Sequence, residues 1–142
     1  MYDISLKKIE NYLYHYNFID YKISLLEEEL SDYNYKQTYN IWIKDQSNSL
    51  ENEAIRNIGL KQRIYKYRKW QTLISQILDK FKLEDNKKYK FICYKYFKKL
   101  NHYQIQARMN LNKNEQEDLK YEILNYIFTV AIKKNMLKEV EV

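Results

Sequence analysis

The chain has no proline and one glycine, Gly59, in 142 residues. Those two residues supply most tight reversals and interrupt most helices. Hairpin turns in particular need a residue that tolerates positive φ. Valine and threonine, which favour strands, are also scarce. A sequence so poor in turn and strand residues is expected to be all-α. Its apolar content, 45% of residues, suffices for a core, although much of it is tyrosine, which buries its ring and keeps its hydroxyl wet.

Helical periodicity supports this reading. From Ser5 to Leu30 an apolar stripe runs through Leu6, Ile9, Leu13, Tyr16, Ile19, Ile23, Leu26 and Leu30, in steps of three and four. Such a stripe needs a partner helix, from the same chain or from a second copy in a homodimer. Residues 31–50 lose the period and collect Asn, Ser, Asp and Gln, which suggests a connection pinned by Ile41, Trp42 and Ile43. Spacing returns from Glu51 to Phe81 through Ile55, Ile58, Ile64, Tyr67, Trp70, Ile74 and Ile77. The expected arrangement over 1–82 is a long antiparallel helical hairpin connected by 31–50. Glu27, Glu28 and Glu29 would then end the first helix, where its dipole disfavours acids. The basic stretch 61–69 is the expected compensation.

Residues 83–142 are expected to form a second domain, a helix-turn-helix. Glu84, Asp85 and Asn86 offer acceptors at a helix start, and the helix that follows turns Tyr89, Ile92, Cys93, Tyr96, Phe97 and Leu100 to one side. Asn101 caps a short helix carrying Ile105, Ala107 and Met109, and Asn110 closes it with a tight corner. Asn112 then has the side chain that accepts from the free amides of the last helix, which runs from Lys113 to about Asn135 with Leu119, Ile123, Ile127, Val130 and Ala131 inward. Two helices joined by a short turn outline a helix-turn-helix.

Little else in the sequence carries chemistry. His15, His102 and the lone Cys93 do not form a metal-ligand cluster, and one glycine cannot build a phosphate loop. Cys93, between Ile92 and Tyr94, reads as core filling. The chain is read as a non-enzyme without cofactors. The opening Met-Tyr-Asp-Ile-Ser lacks the basic region and apolar run expected of a signal peptide, and no apolar run reaches the roughly 20 residues that cross a bilayer, so the expectation is a cytoplasmic protein with no membrane contact.

The formal charge is +6, unevenly spread. Residues 1–32 hold seven acids against three lysines, a balance of −4. The basic residues gather at 61–69 and 82–103. A polyanion partner is therefore plausible for the middle and later chain. The run Lys87–Lys99 alternates lysines with aromatic residues; its rings read as core and its lysines as flanking contacts rather than as a single-strand stacking platform.

The order of pieces resembles the phage late-gene transcriptional activators of the ArpU and RinA type, whose carboxyl-terminal half is similar to region four of sigma factors. The residues that carry the resemblance are Trp70, Tyr96-Phe97, Gln104-Ile105, Met109-Asn110-Leu111-Asn112 and Glu122-Ile123-Leu124, best over 89–131. It implies a regulator that binds double-stranded DNA and works with RNA polymerase. Lys90, Lys95, Lys98, Lys99 and Arg108 would hold phosphates, while Asn114 and Gln116 read bases, with Lys113 and Lys120 on bases or phosphates. The sequence departs from that family's pattern at Glu115, Glu117 and Asp118, three acids where the helix should approach DNA. The alternative is a phage-encoded inhibitor, of CRISPR machinery or of RNA polymerase, that presents those acids to a basic groove on a host protein.

Overall fold

The computed structural model describes the backbone of residues 2–42 and 47–137, and the side chains of 3–32 and 55–137. All its regular elements are helical. They are α1 (Tyr2–His15), one 3-10 turn (Tyr16–Phe18), α2 (Ile19–Trp42), α3 (Ser47–Glu84), α4 (Asn86–Ile92) continued by a π-helical turn (Cys93–Phe97), α5 (His102–Met109) and α6 (Lys113–Lys133). No described helix is long and apolar enough to cross a membrane.

Two expectations about the first half need correction. The expected first helix is interrupted at Tyr16–Phe18 by the tighter turn, around Asn17, whose short amide competes for backbone hydrogen bonds. Residues 31–42, read as a connection, are helical. Asn, Ser and Tyr each lower helix stability by only a few tenths of a kcal/mol, roughly, and without proline or glycine nothing stops a helix already begun. Glu27–Glu29 therefore lie mid-helix, away from any helix end. The side chains of Ile41, Trp42 and Ile43 lie outside the described residues.

The chain divides into two compact units, Met1–Asn17 with Thr72–Val142, and Phe18–Gln71. The division falls inside α3, not at the expected boundary between 82 and 83.

Within Phe18–Gln71, α2 and α3 run antiparallel. Gln71 donates to Asp20 at 2.6 Å, Lys22 lies over the Tyr67 ring, and Glu27 and Glu29 pair with Arg68 and Arg56. Ile19, Ile23, Leu26, Leu60 and Trp70 form the core of this unit. Ile55 and Ile58, expected on the inner stripe, are exposed instead. Leu60 is the buried residue of that turn, so the inner stripe is rotated from the one counted through the isoleucines.

In the other unit, α1 packs against α6 and the π-helical turn. Leu6, Ile9 and Leu13 are buried there with Ile123, Ile127 and Ala131. Each of these leucines and isoleucines contributes about 1.5–3 kcal/mol through burial. The stripe of the first 30 residues is thus covered by its own chain and is not open as the seam of a homodimer. From α3, Lys80 donates to the Tyr126 hydroxyl at 2.8 Å, Phe81 packs its ring on Tyr126, and Gln76 accepts from Lys134 at 2.9 Å.

Candidate functional site

The site is built on α4, the π-helical turn, α5 and α6. Asp85 caps α4, its carboxylate accepting from the Lys88 amide at 3.4 Å. The helix then widens by one residue per turn, with Lys98 donating to the Cys93 carbonyl at 2.9 Å. This places Tyr96 fully inside, where its hydroxyl donates to Glu10 of α1 at 2.8 Å and its ring meets Tyr14 edge-on at 4.7 Å. Burial, followed by the Glu10 carboxylate, raises the Tyr96 pKa well above the ordinary tyrosine value. Phe97 stacks on Tyr16 at 5.5 Å, and Phe91, not singled out by periodicity, is buried. Cys93 is half-buried, with the Tyr89 hydroxyl beside it.

The exit from this helix is strained. Lys99 has φ 53°, in the left-handed region, where a residue with a Cβ costs roughly 1–2 kcal/mol. Glycine or asparagine usually takes such a position.

Two capping boxes then start α5 and α6. The Asn101 side chain accepts from the Gln104 amide at 2.9 Å while Gln104 accepts from the Asn101 amide at 2.9 Å. Asn110 turns the chain with φ 56°, and its own amide closes α5 on the Gln106 carbonyl at 2.8 Å. Asn112 accepts from the Glu115 amide at 2.8 Å, and Glu115 accepts from the Asn112 amide at 3.3 Å. All three asparagines thus do what their positions in the sequence suggest. Asn112 to Glu115 face solvent.

Of the residues expected to contact DNA, the structure buries Gln116. It is 6% exposed. Its amide nitrogen donates to the carbonyls of His102 and Leu111, both at 2.9 Å. It braces the turn and cannot read a base. Its role escaped sequence reasoning because one of its acceptors is fourteen residues away.

Lys120 is also withdrawn, with its side chain 16% exposed and its ammonium 3.2 Å from Glu117. Burial pushes its pKa down, but the hydrogen bond to Glu117 and the charge of Glu10 outweigh this and hold it above the ordinary lysine value. Lys95 and Lys113 share a cleft with Lys120. Elsewhere Lys98 and Arg108 converge on the Tyr94 ring, at 5.3 Å and 5.6 Å from its centroid. Lys90, one turn before Tyr94, is exposed, as are Lys99 and Asn114.

The acids divide in the same way. Glu115 is held in its cap, Glu117 is bound to Lys120, and Asp118 is exposed. Comparison with protein-family models, with curated proteins and with solved structures returned no match to this chain.

Proposed function

We propose that the chain is a DNA-binding transcriptional regulator of the ArpU and RinA type, phage- or mobile-element-encoded, that acts in the host cytosol and docks α5 and α6 on duplex DNA. The observation that carries this reading is the convergence of Lys98 and Arg108 on Tyr94, from either side of the α5 start. Cation–π contact gathers both cations about one ring while both residues stay exposed. Lys99, kept at a strained backbone position beside them, and Lys90 extend this basic rim. These residues would hold phosphates, and Asn114 is the remaining candidate for a base edge.

The test is fluorescence anisotropy with duplex fragments of the source genome between 50 and 200 mM salt. Each phosphate contact contributes roughly 0.9 to the slope of log affinity against log salt. Lys98→Gln with Arg108→Gln should lower that slope by about 1.8. No retention of any duplex at low salt would refute the reading.

A second reading has one observation in its favour. The outer face of α6 carries Asp118 and Glu122, both exposed. A protein with a basic groove, such as a CRISPR effector or RNA polymerase that the chain inhibits, would suit that face.

A further inference from the structure

Where the π-helical turn meets the beginnings of α5 and α6, a cleft of about 220 Å³ is lined by Lys95, Lys113 and Lys120, with Glu117 as its one acid. Phe91 and Ile105, both buried, form part of its wall. Three lysines lining one cleft make it electropositive, and an apolar wall weakens the screening of their charges. Glu117 answers only one of them, Lys120, at 3.2 Å. Lys95 touches the Tyr96 ring at 5.8 Å, and neither Lys95 nor Lys113 has a carboxylate partner among the described residues. Lys120 is thus held by Glu117 and by the charge of Glu10, and the excess charge of the cleft is that of Lys95 and Lys113.

We propose that this cleft binds a phosphate monoester. A monoester carries −1.5 to −2 charge near neutral pH and three acceptor oxygens, which matches the excess, whereas a backbone diester carries only one negative charge. The space is smaller than the roughly 300–1,000 Å³ of sites for drug-sized ligands, so the ligand is a phosphate on a small carbon body. Leu100, half-buried on the wall of the cleft, offers apolar contact to that body. Two sources share the chemistry: a free mononucleotide-sized metabolite and the 5′-terminal phosphate of a nucleic-acid strand. The cleft is separate from the Tyr94 rim, so the inference stands without the duplex reading.

The experiment is titration of the full chain, followed by amide chemical shifts. The probes are inorganic phosphate, thymidine 5′-monophosphate, thymidine, and one short duplex with or without a 5′-phosphate. Saturable shifts around Lys113 and His102 are expected with thymidine 5′-monophosphate and not with thymidine. Each of Lys95→Gln and Lys113→Gln should weaken binding by about tenfold, the effect of one lost charge-assisted contact. Lys133→Gln, exposed in the last turn of α6 and away from the cleft, should leave it unchanged. Unaltered spectral dispersion of the free variants shows that they fold. A Lys95-dependent gain on phosphorylating the duplex end assigns the nucleic-acid source, and shifts with the free nucleotide alone assign the metabolite. The proposal is overturned if neither phosphate probe saturates by roughly 10 mM, or if Lys133→Gln weakens binding as much as Lys113→Gln does.

Discussion

Gln116→Ala separates bracing from base reading. The native amide satisfies two carbonyls at 2.9 Å. The Leu111 carbonyl lies in buried surroundings, and leaving it without a donor costs about 1–3 kcal/mol. The His102 carbonyl is only part-buried, so water recovers some of that loss, and its share is about 0.5–1.5 kcal/mol. The expected destabilisation is therefore about 1.5–4.5 kcal/mol, or roughly 5–15 °C in Tm for a chain of this length. Urea unfolding followed by far-UV circular dichroism reads the total. Hydrogen exchange of the α5 and α6 amides reports whether the loss is centred on the turn. Asn114→Ala, at an exposed position two residues away, should stay within about 0.5 kcal/mol of the parent. The reasoning is refuted if Gln116→Ala keeps full stability and loses only duplex binding, because the amide would then be facing outward.

Three further outcomes test the scaffold. Tyr96→Phe should cost about 1 kcal/mol near neutral pH by removing the hydrogen bond to Glu10. Because the folded chain holds the Tyr96 proton to a pH above the ordinary tyrosine value of 10.0, its stabilisation is complete below pH 10 and is lost as pH rises through the folded value. Alkaline unfolding should therefore be less steep in the variant, by up to about 1.4 kcal/mol per pH unit, as measured by urea midpoints between pH 9 and 11. Asn110→Ala should cost about 1 kcal/mol at its φ of 56°, while Asn110→Gly should match or exceed the parent's urea midpoint.

Features decided within four residues were legible in the sequence, and features decided across the fold were not. Asn101, Asn110 and Asn112 could be assigned because a cap or a left-handed corner depends on the residue's own short side chain and the nearest amides. The all-α class followed from the near-absence of proline and glycine. That same scarcity opposes a connection at 31–42, against the local cluster of Asn and Ser that suggests one. Ile55 and Ile58 were placed inward by hydrophobicity alone, although which side of α3 is covered depends on where α2 lies. Lys120 looked like a surface cation until Glu10 and Glu117, on two different helices, came close enough to hold it. The π-helical turn has no residue signature of its own, and it rotates everything after Cys93 relative to a regular helix.

The acids at the start of α6 bear most directly on whether this helix can approach DNA, and their geometry changes which of them should be tested. Glu115 forms half of a capping box, so Glu115→Lys removes that contact and places a cation at the positive end of the helix dipole, a loss of about 1 kcal/mol or more. Reversal of Glu117 frees Lys120, so two charges change at once. Asp118 has no such duty among the described residues, and its reversal reports on the helix face alone. Under the DNA reading, Asp118→Lys turns a repelled phosphate into a contact. It should tighten duplex binding in low salt and steepen the salt slope by roughly 0.9, with helicity and the urea midpoint unchanged. Under the inhibitor reading, the same substitution weakens capture of the basic partner and leaves the weak affinity for duplex flat. If Asp118→Lys weakens duplex binding, α6 cannot be the helix that faces the DNA, and the basic rim around Tyr94 would have to dock by a different element.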